Sequence, residues 1–158
     1  MKPNLILLHG ALGSKRHLQA LKAELSNLFN VYDLDFAGHG DQISESEFSM
    51  ELFAQNLIDL IAEQGIDKTH VFGYSMGGYV GITAALKSPA LFDKIITYGT
   101  KFNWSPQIAE QEVKMLNPAK IEEKVPKFAK RLNELHAPND WKVMMQKTAD
   151  LMISLGAG

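Results

Sequence analysis

Val71-Phe72-Gly73-Tyr74-Ser75-Met76-Gly77-Gly78 is the stretch that decides how this chain is read. An apolar strand runs into a tight turn at Ser75, and a helix leaves at once through Val80, Ala84 and Ala85. Gly73 and Gly77 frame the serine as G-x-S-x-G, which between a strand and a helix reads as a nucleophile elbow. The apex of such a turn holds a strained backbone, and a side chain at either flanking position would collide with the neighbouring strand or helix. The helix that starts after Ser75 aims its unpaired N–H groups and positive end at the serine oxygen, which suits a developing oxyanion. The plain alternative is a serine that merely caps the helix.

Strand and helix alternate on both sides of this stretch. Leu5-Ile6-Leu7-Leu8 is a continuous apolar run of the kind buried on both faces of a parallel sheet, giving a strand over 4–8. The loop His9-Gly10-Ala11-Leu12-Gly13 follows, then a helix from about Ser14 with Leu18, Leu21, Leu25 and Leu28 on one face. A second strand is expected over 31–35. Ser49 is the expected cap of a helix carrying Phe53, Leu57, Leu60 and Ile61, stopped by Gly65. Strands over 70–74 and 94–99 complete the series. Right-handed crossovers then give a parallel sheet covered by helices on both faces, in the spatial order 31–35, 4–8, 70–74, 94–99. Ligands of such sheets bind beyond the carboxyl ends of the strands, where the loops 9–13 and 73–78 both lie.

After Gly99 the pattern changes. Ser105-Pro106 opens a helix, Asn117-Pro118 breaks it, Pro126 starts a second, and Asn139 is the expected cap of a third. The chain thus divides into a strand–helix core over 1–99 and a helical lid over 100–158. Trp141, Met144 and Met145 on the last helix are candidates to line an acyl pocket beneath that lid, although such a stripe equally serves as a packed helix face.

Composition narrows the chemistry. With 158 residues, 46% hydrophobic, the chain suits one globular unit with a real core. A formal net charge of −2 offers no basic field for nucleic acid. No cysteine is present, which removes disulfides, thiolate catalysis and cysteine metal sites, and the five histidines are too scattered to suggest zinc. No run approaches the ~20 apolar residues of a membrane span. Leu5–Leu8 after Lys2, bounded by Pro3 and His9-Gly10, is too short for a signal peptide, so a cytoplasmic protein is expected. Asp33 and Asp35 share a strand face but have no metal partner, and helix-cap or loop hydrogen bonding is their expected role.

Three motifs in order, Leu8-His9-Gly10-Ala11-Leu12-Gly13, Asp35-Phe36-Ala37-Gly38-His39-Gly40 and Gly73-Tyr74-Ser75-Met76-Gly77-Gly78, resemble the α/β-hydrolase superfamily. The spacing is similar to its compact single-cap esterase and acyl-hydrolase branch, which includes pimeloyl-carrier methyl esterases and the pyruvate-eliminating enzyme of menaquinone synthesis. The resemblance implies Ser75 as nucleophile, the amides of Ala11 and Met76 as oxyanion donors, and His9 with Gly10 as structural support of the oxyanion loop. It implies a small ester or thioester as substrate and no cofactor or metal.

In that superfamily an acid and then a histidine follow on two later strands. No strand is expected here after residue 99, so the second half of the core and those two residues are absent, and a chain cut short is expected. His136 lies near a helix end, where a histidine commonly meets the last carbonyls, and is only a weak candidate base. The leading expectation is a serine hydrolase working through an acyl-enzyme on Ser75 in the complete protein. The alternatives are a non-catalytic remnant that binds a ligand, or a C–C hydrolase or lyase of the same superfamily. The uncovered edge beside 94–99 is expected to favour self-association.

Overall fold

The computed structural model describes residues 1–158. Strands β1 (Asn4–Leu8), β2 (Asn30–Asp33), β3 (Thr69–Tyr74) and β4 (Phe92–Tyr98) form one parallel sheet in the order β2-β1-β3-β4. That is the expected order. Helices α1 (Gln19–Leu25), α2 (Met50–Glu63) and α3 (Met76–Lys87) make the crossovers.

The continuous apolar run of β1 is explained by its two-sided burial. Ile6 and Leu8 enter the main hydrophobic cluster with Phe53 and Leu57 of α2 and Val80 and Ala84 of α3. Leu5 and Leu7 face the other way, where Leu18 and the half-buried Leu21 and Leu25 cover them. Burying such a side chain contributes about 1.5–3 kcal/mol, so this one strand anchors both layers.

Coverage of the second face stops at β3. Parallel pairing aligns Phe72 with Ile96 and Tyr74 with Tyr98 on the α1 side of the sheet. There Tyr74, Ile96 and Tyr98 are 48%, 61% and 64% exposed. The expectation of helices on both faces therefore holds over β1 and β2 only, because no element of the chain reaches the far half of that face.

Residues 100–158 form four helices, one more than expected: α4 (Pro106–Val113), α5 (Pro118–Lys124), α6 (Pro126–His136) and α7 (Trp141–Gly156). α4 ends at Val113, four residues before the Asn117-Pro118 pair expected to break it, and that pair instead starts α5: Asn117 Oδ1 accepts from the Lys120 amide at 3.1 Å with proline at the first helical position. Ser49 and Ser105 cap α2 and α4 as expected. Asn139 does not cap α7. The adjacent Asp140 accepts from the Lys142 and Val143 amides, while Asn139 Nδ2 donates back to the carbonyls of Gly40 and Gln42. The helical layer shares the main cluster with the sheet through Ala129, Leu132, Trp141, Met144, Met145 and Leu151.

Candidate active site

Ser75 stands between the last residue of β3 and the first of α3 with φ 51° and ψ −118°. A non-glycine residue at positive φ is strained, at a cost of order 1–3 kcal/mol, and persists only where its surroundings hold it. Three bonds do so. The Ser75 amide donates to Tyr98 O at 2.8 Å, and Ser75 O accepts from the Gly78 amide at 3.0 Å and from Thr100 Oγ1 at 2.7 Å. The end of β4 and the residue two beyond it thereby clamp the turn. The flanking glycines are required by close approach: a Cβ on Gly73 would strike the backbone of Gly77 and Gly78, and one on Gly77 the carbonyls of Leu8 and His9. No side chain hydrogen-bonds Ser75 Oγ.

The second loop is a turn closed by the Gly13 amide on Gly10 O at 3.1 Å. Leu12 takes the third position with φ 62°, again a strained conformation for a residue with a side chain. The Ala11 N–H has no acceptor in the protein. Ala11, Ser75 and Met76 line one small pocket of about 60 Å³, otherwise walled largely by apolar side chains that include Met50, Tyr79, Trp104, Leu151, Met152 and Leu155.

Trp141, Met144 and Met145, the lid residues expected to line an acyl pocket, lie elsewhere. All three are buried in the main cluster, at 6%, 2% and 0% exposure, and none borders the pocket beside Ser75. Thr148, Leu151, Met152 and Leu155, further along the same helix, border it instead. Their apolar spacing was legible, but not which turns of α7 overlie the serine. Tyr79, Thr100 and Trp104 carried no signal of their own.

The histidines near the site are structural. His9 is buried, accepts from the Phe36 amide through Nε2 at 3.1 Å, and so donates through Nδ1 to Gly10 O at 2.8 Å. Burial lowers its pKa to about 4, against the backbone bond that raises it. His39 stacks on Phe48 at 5.1 Å and meets Phe53 edge-on, with its pKa lowered by burial to about 3. His136 is fully buried: the Gly40 amide donates to Nδ1 at 2.8 Å, so Nε2–H donates to Leu12 O at 2.8 Å. Burial lowers its pKa too. With both ring nitrogens engaged, His136 cannot take a proton from Ser75, and it is no base.

Asp35 accepts from the Lys15 and Asp41 amides at 2.9 and 3.1 Å, and Asp33 from Gln19 Nε2 at 2.8 Å with Lys22 Nζ at 3.3 Å. Asp35 thus has the expected loop hydrogen bonding, whereas Asp33 ties the end of β2 to side chains of α1. No cluster of three or more metal-ligating side chains is present, and no helix is long and apolar enough to cross a membrane.

Known proteins resemble this chain in sequence and fold. The family model described as "alpha/beta hydrolase fold" matches residues 3–148. Ethanol acetyltransferase 1 of Hanseniaspora uvarum is 32% identical over 90 residues, 56% of this chain and 27% of that protein. Esterase YbfF of Escherichia coli (strain K12) is 30% identical over 92 residues, 58% of this chain and 36% of that protein. The solved structure of a marine microorganism esterase superposes with a TM-score of 0.74 at 22% identity, over 100% of this chain and 70% of its own. The chain thus spans about a third or less of these curated relatives and about two thirds of that structure.

Proposed function

This chain belongs to the α/β-hydrolase fold family, and from that premise we propose that it carries the nucleophile and oxyanion site of a serine hydrolase for small esters or thioesters. One observation carries the reading: the strained Ser75, Met76 after it and Ala11, whose amide has no acceptor, border a single largely apolar pocket. The substrate carbonyl sits over Ser75 with its acyl group among Tyr79, Leu151 and Met152. Ser75 Oγ attacks the carbonyl carbon, its proton passes to a base, and the oxygen takes negative charge against the Ala11 and Met76 N–H groups. Two preformed donors supply several kcal/mol, since removing one such donor typically costs ~2.7–4 kcal/mol. The tetrahedral intermediate collapses, the alcohol or thiol leaves with a proton, and water releases the acid from Ser75. Esterase and acetyltransferase relatives support acyl chemistry at the site.

On this reading the base is supplied from outside these 158 residues, because no histidine meets Ser75 Oγ: His9 and His136 have both ring nitrogens on backbone partners, and His39 is buried against Phe48 and Phe53. In the proposed whole protein, an acid and a histidine complete the triad. The lone hydroxyl favours a second reading, a non-catalytic binding protein with the same pocket. Labelling with a fluorophosphonate distinguishes them. Slow labelling of residues 1–158, fast labelling of a protein extended past Gly158, and none in Ser75→Ala are expected. An extended protein whose Ser75 labels no faster would support the binding reading.

A further inference from the structure

The turn that presents Ala11 does not hold itself. Leu12 occupies it at φ 62°, a conformation a leucine adopts only under constraint. The Leu12–Gly13 peptide is pinned from both sides. Its N–H donates to Gly10 O at 3.1 Å within the turn, and its carbonyl accepts from His136 Nε2–H at 2.8 Å. The second bond comes from the last residue of α6, 124 positions away in sequence. The other nitrogen of the same ring accepts from the Gly40 amide at 2.8 Å. One neutral imidazole therefore joins the lid, the Gly10–Gly13 turn and the turn after β2. Phe128 of the same helix lines a groove with Ala11 and Leu12, so α6 also borders this loop there.

We propose that His136 is a positioning residue: from the lid it holds the Gly10–Gly13 turn in the conformation that leaves the Ala11 N–H free for the substrate oxygen. The proposal rests on the serine-hydrolase reading for its catalytic consequence, but not for its structural one. Without the imidazole, Leu12 O and the Gly40 amide lose their partners in a buried place. The cheapest relief is for the 12–13 peptide to rotate, and this moves the Ala11 amide. Displacing a catalytic group by ~1 Å can cost on the order of 10²-fold in rate.

The test compares wild type with His136→Leu and His136→Gln. A glutamine side chain offers one acceptor and one donor about as far apart as the two ring nitrogens, and leucine offers neither. In residues 1–158, amide NMR of folded His136→Leu is expected to show displaced Ala11 and Leu12 resonances and at least tenfold faster exchange at Gly13 and Gly40. Exchange at Leu7 in β1 should be unchanged, and His136→Gln should restore the loop. If the leucine variant fails to fold, His136→Asn, whose shorter side chain reaches only one partner, is read in the same way. In a protein extended past Gly158, kcat is expected to fall at least tenfold for His136→Leu with KM within twofold, and to recover in His136→Gln. An unchanged Ala11–Gly13 spectrum in the folded variant overturns the proposal, as does a kcat equal to wild type. Ser75→Ala is assayed alongside: if it leaves hydrolysis unchanged the serine reading fails, while exchange at Gly13 still judges the hold on the turn.

Discussion

Thr100 Oγ1 donates to the carbonyl oxygen of Ser75 at 2.7 Å, so the elbow is held by a residue just beyond the end of β4 and not by its own turn alone. Thr100 also borders the pocket beside Ser75. Replacing Thr100 with valine keeps the shape and removes the donor, leaving Ser75 O to the Gly78 amide alone. The expected loss is about 0.5–1.5 kcal/mol of stability. For a chain of this length that lowers Tm by roughly 1–6 °C. Thermal melts of Thr100→Val and Thr100→Ser check it, with serine expected to stay within a degree or two of wild type. Equal melting of all three would show that the bond contributes nothing.

Acid should unfold this protein through its buried imidazoles. Burial lowers His9 from 6.5 to about 4 and His39 from 6.5 to about 3. Both are neutral in the folded chain and protonate once it unfolds below pH 6.5, so the unfolded state binds more protons there. Their contribution is fully present above about pH 6.5 and is lost as pH falls toward about 4 for His9 and about 3 for His39. The slope is roughly 1.4 kcal/mol per pH unit for each histidine. His39→Phe, which keeps a ring against Phe48, is expected to flatten the fall in Tm between pH 6.5 and 5 by about one proton's worth. A variant as acid-sensitive as wild type would exclude His39 from the effect.

How much of this was legible in advance follows from the range of the forces involved. The strand order and the elbow came from local patterns: a short apolar run, two glycines around a serine, and crossovers of one hand. Caps such as Ser49 and Ser105 act within three residues and were equally readable. Asn117 reads as a break in the sequence, yet it lies four residues past the end of α4 at Val113 and serves as the cap of α5, a role that the same Asn-Pro pair encodes equally well. Asn139 is expected as a cap and His136 at the carbonyls of its own helix end, whereas their partners lie at Gly40, Gln42 and Leu12, about a hundred residues away. No periodicity encodes which distant carbonyl a side chain will meet. The pocket wall failed for the same reason, since the stripe on α7 was visible but its height over Ser75 is set by how α7 packs.

The open side of β4 should show itself in solution. Ile96 and Tyr98 are exposed on the strand and Tyr74 beside them, and β4 pairs only with β3, leaving one row of backbone groups free. Exposed, apolar, unpaired edges favour association. Residues 1–158 are expected to sediment as a dimer or larger species at micromolar concentration, and Ile96→Lys is expected to shift them toward monomer. A monomeric wild type would remove the argument.

The pocket also limits which acyl groups fit. It is small, about 60 Å³, and Leu151 and Met152 of α7 are part of its wall. Short acyl chains such as acetyl and butyryl are expected to be accommodated without moving that wall. An octanoyl chain has to displace Leu151 or Met152 of α7, and pushing methylenes into a packed wall costs about 1–3 kcal/mol. In a protein extended past Gly158, kcat/KM for p-nitrophenyl esters is therefore expected to be similar for acetate and butyrate and to drop about tenfold or more by octanoate. Leu151→Ala opens the wall without touching Ser75, and should raise the octanoate rate relative to acetate. If octanoate were hydrolysed as fast as acetate by the wild type, the acyl group would have to lie outside this pocket. The neighbouring groove lined by Leu12, Tyr74 and Phe128 would then be the next place to look.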